Sequence, residues 1–80
     1  MRNDIRKAIE AVRKFDKEFN ACKANETDDY IILFDLADGI PPYIIDKKTM
    51  DVHQVIIGTK QDMDIAFKAS VFVEDLGRII

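Results

Sequence analysis

Residues 30–45 have the sequence YIILFDLADGIPPYII, and this stretch decides the fold. Residues 30–36 are rich in strand formers and nearly apolar on both faces, which predicts a central strand of a sheet. Asp38-Gly39 accepts the left-handed backbone angles of a tight turn. Pro41-Pro42 cannot donate backbone hydrogen bonds, so the returning strand should start late or run along an edge. Residues 43–45 then resume the sheet, and the stretch predicts an antiparallel hairpin.

The segment after this hairpin predicts one more strand and a short helix. Residues 46–49 make a second turn, and residues 50–57 alternate in polarity as a third strand does. Thr59 and Asp62 approximate a capping box, which marks a helix start. Residues 71–73, VFV, suit either the last turn of that helix or a fourth strand, because β-branched residues dominate.

The N-terminal segment predicts an amphipathic helix of about five turns. Its apolar residues recur in steps of three or four: Ile5, Ala8, Ile9, Val12, Phe15, Phe19 and Cys22. This stripe could bind a partner, but the sheet predicted downstream needs covering, and we expect the helix to cover it. The predicted fold class is α+β: a long N-terminal helix packed on a three- to four-stranded antiparallel meander, with a short C-terminal helix. Residues 1–80 contain no repeat or linker and predict a single domain.

Composition excludes several classes of protein. A single cysteine cannot form an intramolecular disulfide, and one cysteine with one histidine cannot form a structural zinc site. The longest uninterrupted apolar run, residues 30–34, is far shorter than the roughly 20 residues of a membrane helix. No signal-peptide pattern follows the charged N-terminus. We therefore expect a cytoplasmic protein that neither spans nor binds a membrane.

Charge is distributed unevenly along the chain. The net charge is −3, and residues 25–46 carry six acidic groups and no basic one: Glu26, Asp28, Asp29, Asp35, Asp38 and Asp46. A nucleic-acid-binding protein should show a basic surplus instead, so nucleic acid is not expected as a partner. Acidic turns with tyrosines among them are suited to a basic protein partner. The alternative is an ordinary solvated rim of loops.

The sequence offers no complete set of catalytic residues. A nucleophilic triad would have to use Cys22 and His53; Cys22 falls on the apolar stripe of the predicted helix, and His53 on the more polar face of its strand. The carboxylate pairs Asp28-Asp29, Asp35 with Asp38, and Asp62 with Asp64 are expected to be solvated and structural. The glycines lie too far apart for a phosphate-binding loop. We expect no enzyme activity, cofactor or metal, and a small enzyme completed by a partner subunit is the weaker alternative.

The segment from Pro41 to His53, PPYIIDKKTMDVH, resembles a recurring segment of small bacterial immunity-type proteins found beside polymorphic toxins. In those proteins a strand ends in a P-x-x-V-D-K-x-T-G-x-V turn, and a second strand leads into a short helix. The resemblance covers roughly residues 41–68, and Met50 stands where glycine is usual. It implies a cystatin-like or related α+β fold and a non-catalytic protein that occludes the site of a cognate toxin with acidic loops.

The sequence thus predicts a non-catalytic protein-binding domain, in its sharper form an immunity-like inhibitor of a basic toxin or enzyme. The expected partner-binding residues are Asp28, Asp29, Asp38, Tyr43, Asp46 and His53. The alternative is a self-associating structural or regulatory module, a homodimer joined through a sheet edge or through the Ile79-Ile80 tail.

Overall fold

The computed structural model describes residues 3–37, 39–55, 59–68 and 71–75. In chain order these form α1 (Asn3–Arg13), β1 (Ala21–Glu26), β2 (Tyr30–Asp35), β3 (Tyr43–Asp46), β4 (Val52–Gln54), α2 (Lys60–Lys68) and β5 (Val71–Asp75). Neither of these helices has the length and apolar character needed to cross a membrane. The predicted docking tail, Ile79-Ile80, lies outside the described residues, as does the site residue Asp38.

The five strands form one sheet in the order β4-β3-β2-β1-β5, and each neighbouring pair is antiparallel. Strands β1 to β4 make a four-stranded meander, and β5 adds a fifth strand beside β1. The α+β prediction is therefore confirmed, with β2 in the central position expected of it. The ambiguous segment at residues 71–73 is a strand, because it pairs with β1 along the sheet edge.

The two helices cover opposite faces of the sheet. The α1 face buries the apolar residues Ile5, Ala8, Ile9, Val12, Phe19, Ala21, Ala24, Ile31, Leu33, Tyr43 and Ile45. The α2 face buries Ile32, Ile44, Val55 and Ala66, with Tyr30, Phe34 and Ile65 packed around them. Alternate residues of β2 enter the two clusters, which is why its sequence is apolar on both faces.

The predicted length of the N-terminal helix, about five turns, is wrong, because α1 ends at Arg13. The last helical bond runs from the Asp16 amide to the Val12 carbonyl, at 3.0 Å. The Arg13 guanidinium then donates to the Phe19 carbonyl at 3.1 Å, which holds the chain as it turns back. Phe15, predicted on the buried stripe, is 59% exposed. The apolar period continues past Arg13, but the backbone there turns to supply a strand to the sheet.

That strand, β1, places Cys22 in the sheet and not on a helix. The prediction that Cys22 lies on the buried stripe of the first helix is therefore wrong, and the residue is half-buried in the sheet. Its neighbours Ala21 and Ala24 are buried beneath α1. Small side chains at these two positions allow a helix to lie close to the sheet. The backbone bonds of β1 to β2 and β5 outweigh the weak strand preference of the sequence ACKANE.

The connections on either side of β3 agree largely with the predictions from the sequence. Gly39 has the left-handed φ of +81° that its turn requires. The strand β3 starts only after Pro41-Pro42, as expected. The third predicted strand is shorter than residues 50–57: it begins at Val52 because Met50 has a φ of +60°, outside the strand region.

Candidate functional site

The β1–β2 and β3–β4 turns adjoin at one end of the sheet. The Lys47 amide donates to the Asp29 carbonyl at 3.0 Å, and the Lys47 ammonium pairs with Glu26 at 2.9 Å. Asp28 and Asp46 lie in or beside the same two turns. The acidic block of the sequence is therefore divided, since Asp35 ends β2 at the opposite end of the sheet.

Thr27 shapes the β1–β2 turn and fixes the backbone that carries Asp28 and Asp29. Its hydroxyl accepts hydrogen bonds from the amides of Asp29 (3.3 Å) and Tyr30 (3.0 Å). Its own amide donates to the Tyr30 carbonyl at 2.9 Å. Because the threonine side chain satisfies the turn, neither aspartate carboxylate is needed for that purpose. Both aspartates are exposed.

These two aspartates line an open cleft of about 310 Å³ between the turn and α2. We call it the acidic cleft; its lining residues are Thr27, Asp28, Asp29, Tyr30, Asp64 and Ile65. Within the described part of the chain, no basic side chain pairs with any of its three carboxylates. Tyr30 and Ile65 contribute apolar surface beside them. The cleft thus combines uncompensated negative charge with an aromatic and an aliphatic side chain.

Other acidic residues of the sequence serve local structure. One Asp46 carboxylate oxygen accepts from the amides of Lys48 (2.8 Å) and Thr49 (3.3 Å). Asp35 accepts from the Ala37 amide at 3.0 Å. Of the predicted binding residues, Asp46 therefore caps a turn next to the cleft, and its carboxylate is engaged there.

Tyr43, also predicted as a binding residue, lies in the core. It is 5% exposed, and its ring contacts Phe15 and Phe19 at centroid distances of 5.8 and 5.2 Å. Its hydroxyl donates to Asp16 at 2.8 Å. Burial, together with this bond to an anionic acceptor, raises the pKa of Tyr43 to about 12. Such a placement leaves little of the side chain to contact a partner.

His53 is held against α2 and away from the cleft aspartates. Its Nε2 lies 2.9 Å from an Asp62 carboxylate oxygen. The His53 side chain is half exposed, whereas Asp62 is 8% exposed. This contact ties the edge strand β4 to the second helix. Asp62, like Asp46 and Asp35, is therefore engaged within the fold.

The residues that a nucleophilic site would need do not meet. Cys22 lies on β1 and His53 on β4, with β2 and β3 between them, so the two strands alone are about 14 Å apart at ordinary strand spacing. Among the described residues, no three His, Cys, Asp or Glu side chains cluster as metal ligands would.

Sequence reasoning missed the contribution of α2 to the cleft. The sequence pairs Asp64 only with Asp62, yet the helix directs the two residues to different places, Asp62 to His53 and Asp64 to the cleft. A spacing of two on a helix separates side chains by about 200°, which is a usable signal. That Asp64 meets Asp28 and Asp29 also requires knowing that α2 crosses the face opposite α1.

Asp38 lies outside the described residues, and its neighbours Ala37 and Gly39 connect β2 to β3 at the end of the sheet opposite the cleft. The structure thus brings Asp28 and Asp29 together, places Asp46 beside them, and separates Tyr43 and His53 from them. Comparison with known proteins found no matching family model, no matching curated protein and no matching solved structure.

Proposed function

We propose that this chain is a non-catalytic protein-binding domain whose acidic cleft receives a basic surface of another protein. One observation carries the proposal: Asp28 and Asp29 are exposed, and their carboxylates are not used to hold their own turn, since Thr27 does so. Turn aspartates ordinarily satisfy local backbone groups, as Asp35 and Asp46 do.

The lining of the cleft favours an arginine-bearing segment as its occupant. Arginine offers a planar, permanently charged fork that pairs with carboxylates and stacks on aromatic rings. Asp28, Asp29 and Asp64 supply the carboxylates, Tyr30 the ring, and Ile65 an aliphatic contact for the side-chain stem. The volume of about 310 Å³ suits one or two side chains of a larger partner.

The sharper form of the proposal is an immunity-like inhibitor that occludes the site of a basic toxin or enzyme. The resemblance of residues 41–68 to immunity-type proteins supports it. The charge of the cleft supports it as well, because carboxylates steer a basic partner into contact and repel nucleic acid. The separation of Cys22 from His53 favours a binding role over nucleophilic catalysis.

The test is a quantitative capture experiment with two matched charge variants. Wild type, Asp28→Asn/Asp29→Asn and Glu10→Gln/Glu18→Gln serve as baits in lysate of the native host. Both doubles remove two exposed negative charges, but only the first alters the cleft. We expect wild type and the Glu10/Glu18 double variant to capture the same basic proteins. The Asp28/Asp29 double variant should capture at least tenfold less of each.

Equal capture by all three baits would contradict the proposal, and so would equal loss with both doubles, because that would reflect net charge alone. A captured partner that is acidic would count against the arginine-bearing occupant.

A further inference from the structure

Within the described residues, the edge strand β4 has backbone groups that pair with no other strand. Two bonds fix its register: the Asp46 amide donates to the Asp51 carbonyl, and the Val55 amide donates to the Pro42 carbonyl. Residues 51, 53 and 55 therefore direct their backbone groups toward β3. Val52 and Gln54 alternate with them and direct their amides and carbonyls away from the sheet.

This edge lacks most of the features that protect edge strands. Its register with β3 is regular, without a bulge, and it contains no proline or lysine; only its short length limits pairing. Strand β4 lies at one end of the sheet order, and among the described strands it neighbours β3 alone. A further strand could therefore pair with it.

A groove of about 450 Å³ lies between this edge and α1. Its apolar surface comes from Ala11, Phe15, Met50 and Val52, and Phe15 is 59% exposed. The ionisable residues around the groove are two basic ones, Lys7 and Lys14, and two acidic ones, Glu10 and Asp51. A strongly charged partner would gain little from this balanced set, whereas a second copy of the same surface can match opposite charges across a two-fold axis.

We propose that β4 pairs antiparallel with β4 of a second copy of this chain, with the two-fold axis passing at His53. In that register Val52 faces Gln54 of the second copy, and the pairs on either side of the axis form four backbone hydrogen bonds. The two His53 residues become a non-hydrogen-bonded pair on the α2 face. On the α1 face, Val52 and Gln54 of each copy enter the groove of the other.

The dimer leaves the acidic cleft open, because the cleft is built by the β1–β2 turn and α2. A three-residue edge with a modest groove buries little surface, so we expect reversible association with a Kd on the order of micromolar. The two inferences are independent, and either can fail while the other holds.

Light scattering and sedimentation equilibrium test the dimer with a matched pair of variants. Gln54→Pro removes the backbone N–H that points away from the sheet, and it also removes the side-chain hydrogen bond from Gln54 to the Pro41 carbonyl. Gln54→Ala removes only that side-chain hydrogen bond. We expect wild type and Gln54→Ala to dimerise with similar Kd, and Gln54→Pro to raise the Kd about tenfold or more.

A cysteine scan tests the register without disturbing the backbone. In a Cys22→Ser background, His53→Cys should form an intermolecular disulfide readily, because paired Cα atoms at a non-hydrogen-bonded site are about 4.5 Å apart. Asp51→Cys is the control: Asp51 is exposed, as His53 is, but the axis at His53 places the two Asp51 residues of the dimer several residues apart along the paired strands. A monomer at all concentrations, an undiminished dimer in a folded Gln54→Pro, or equal crosslinking at residues 51 and 53 would overturn the proposal.

Discussion

Tyr43 joins the aromatic cluster at the C-terminal end of α1 to the sheet. Its ring packs edge-on against Phe19, and its hydroxyl reaches Asp16 in the segment that follows the helix. A hydrogen bond from a partly buried hydroxyl to a carboxylate is a strong one, because the acceptor is charged. The side chain thus explains why the chain can turn at residues 14–20 without leaving the core open.

Stability should fall at high pH because of Tyr43. Its pKa is about 12 in the folded chain and about 10 when unfolded, so the unfolded state loses its proton first. The contribution is fully present below pH 10 and is lost between pH 10 and 12. Urea unfolding at pH 9 and pH 11.5 should show wild type losing about 2 kcal/mol more than Tyr43→Phe. Equal losses would mean that the hydroxyl is not buried against Asp16.

Met50 should carry a conformational cost at its φ of +60°. Left-handed backbone costs a residue with a Cβ about 1–2 kcal/mol, and glycine avoids that cost. Met50 is also partly buried against the α1-face cluster, so removing its side chain loses packing. Comparing Met50→Gly with Met50→Ala separates the two effects, since both lose the packing.

We expect Met50→Gly to be more stable than Met50→Ala by about 1 kcal/mol in urea unfolding. Glycine ordinarily destabilises a site relative to alanine, so the opposite order would place Met50 at negative φ.

The second helix is held to the sheet by a side-chain contact between Asp62 and His53 as well as by apolar packing. Asp62 is buried and touches His53, whereas Asp64, two residues further along the same helix, faces the open cleft. We expect Asp62→Ala to lower the free energy of unfolding by about 1–3 kcal/mol and Asp64→Ala to change it by less than about 0.5 kcal/mol.

A double-mutant cycle with His53→Ala checks the cause. Coupling of about 1 kcal/mol between His53 and Asp62 is expected, with none between His53 and Asp64. If the cycle shows no coupling between His53 and Asp62, Asp62 stabilises α2 only as an acidic residue in its first turn.

Elements whose local preference agrees with the fold could be predicted from sequence. Three segments each have one favourable structure, and the structure confirms all three predictions: the strand in residues 30–36, which are apolar on both faces, the glycine turn at Gly39 and the turn at residues 46–49. The strand β1 could not be predicted, since ACKANE prefers helix and its apolar spacing continues that of α1. Its pairing with β2, the next strand, and with β5, which is distant in sequence, decides its structure.

The candidate site, like the fold, could be predicted only where local sequence determines the structure. Asp28 and Asp29 follow from turn chemistry, but nothing local distinguishes them from Asp35 and Asp46, whose carboxylates cap their turns. Thr27 is the residue that makes the difference, through two hydrogen bonds that the sequence does not specify. Asp64 arrives from a helix on the opposite face to α1, which only the whole sheet order determines.

At the scale of the whole molecule, the cleft should contribute to binding and not to stability. Three carboxylates without basic partners in the described chain repel one another and form no native ion pair. Asp28→Asn/Asp29→Asn should therefore leave the free energy of unfolding within about 0.5 kcal/mol of wild type, or raise it slightly at low salt. Urea unfolding in low and high salt checks this, and a loss above 1 kcal/mol would assign the two aspartates a structural role.

Amide chemical shifts of the ¹⁵N-labelled protein test the central claim most directly, during titration with the basic partner recovered by capture. The acidic cleft predicts that the largest changes fall at residues 27–30 and 64–65 and that they weaken as salt rises. Unchanged cleft amides, with the largest changes instead at residues 7–15 and 49–52, would contradict it.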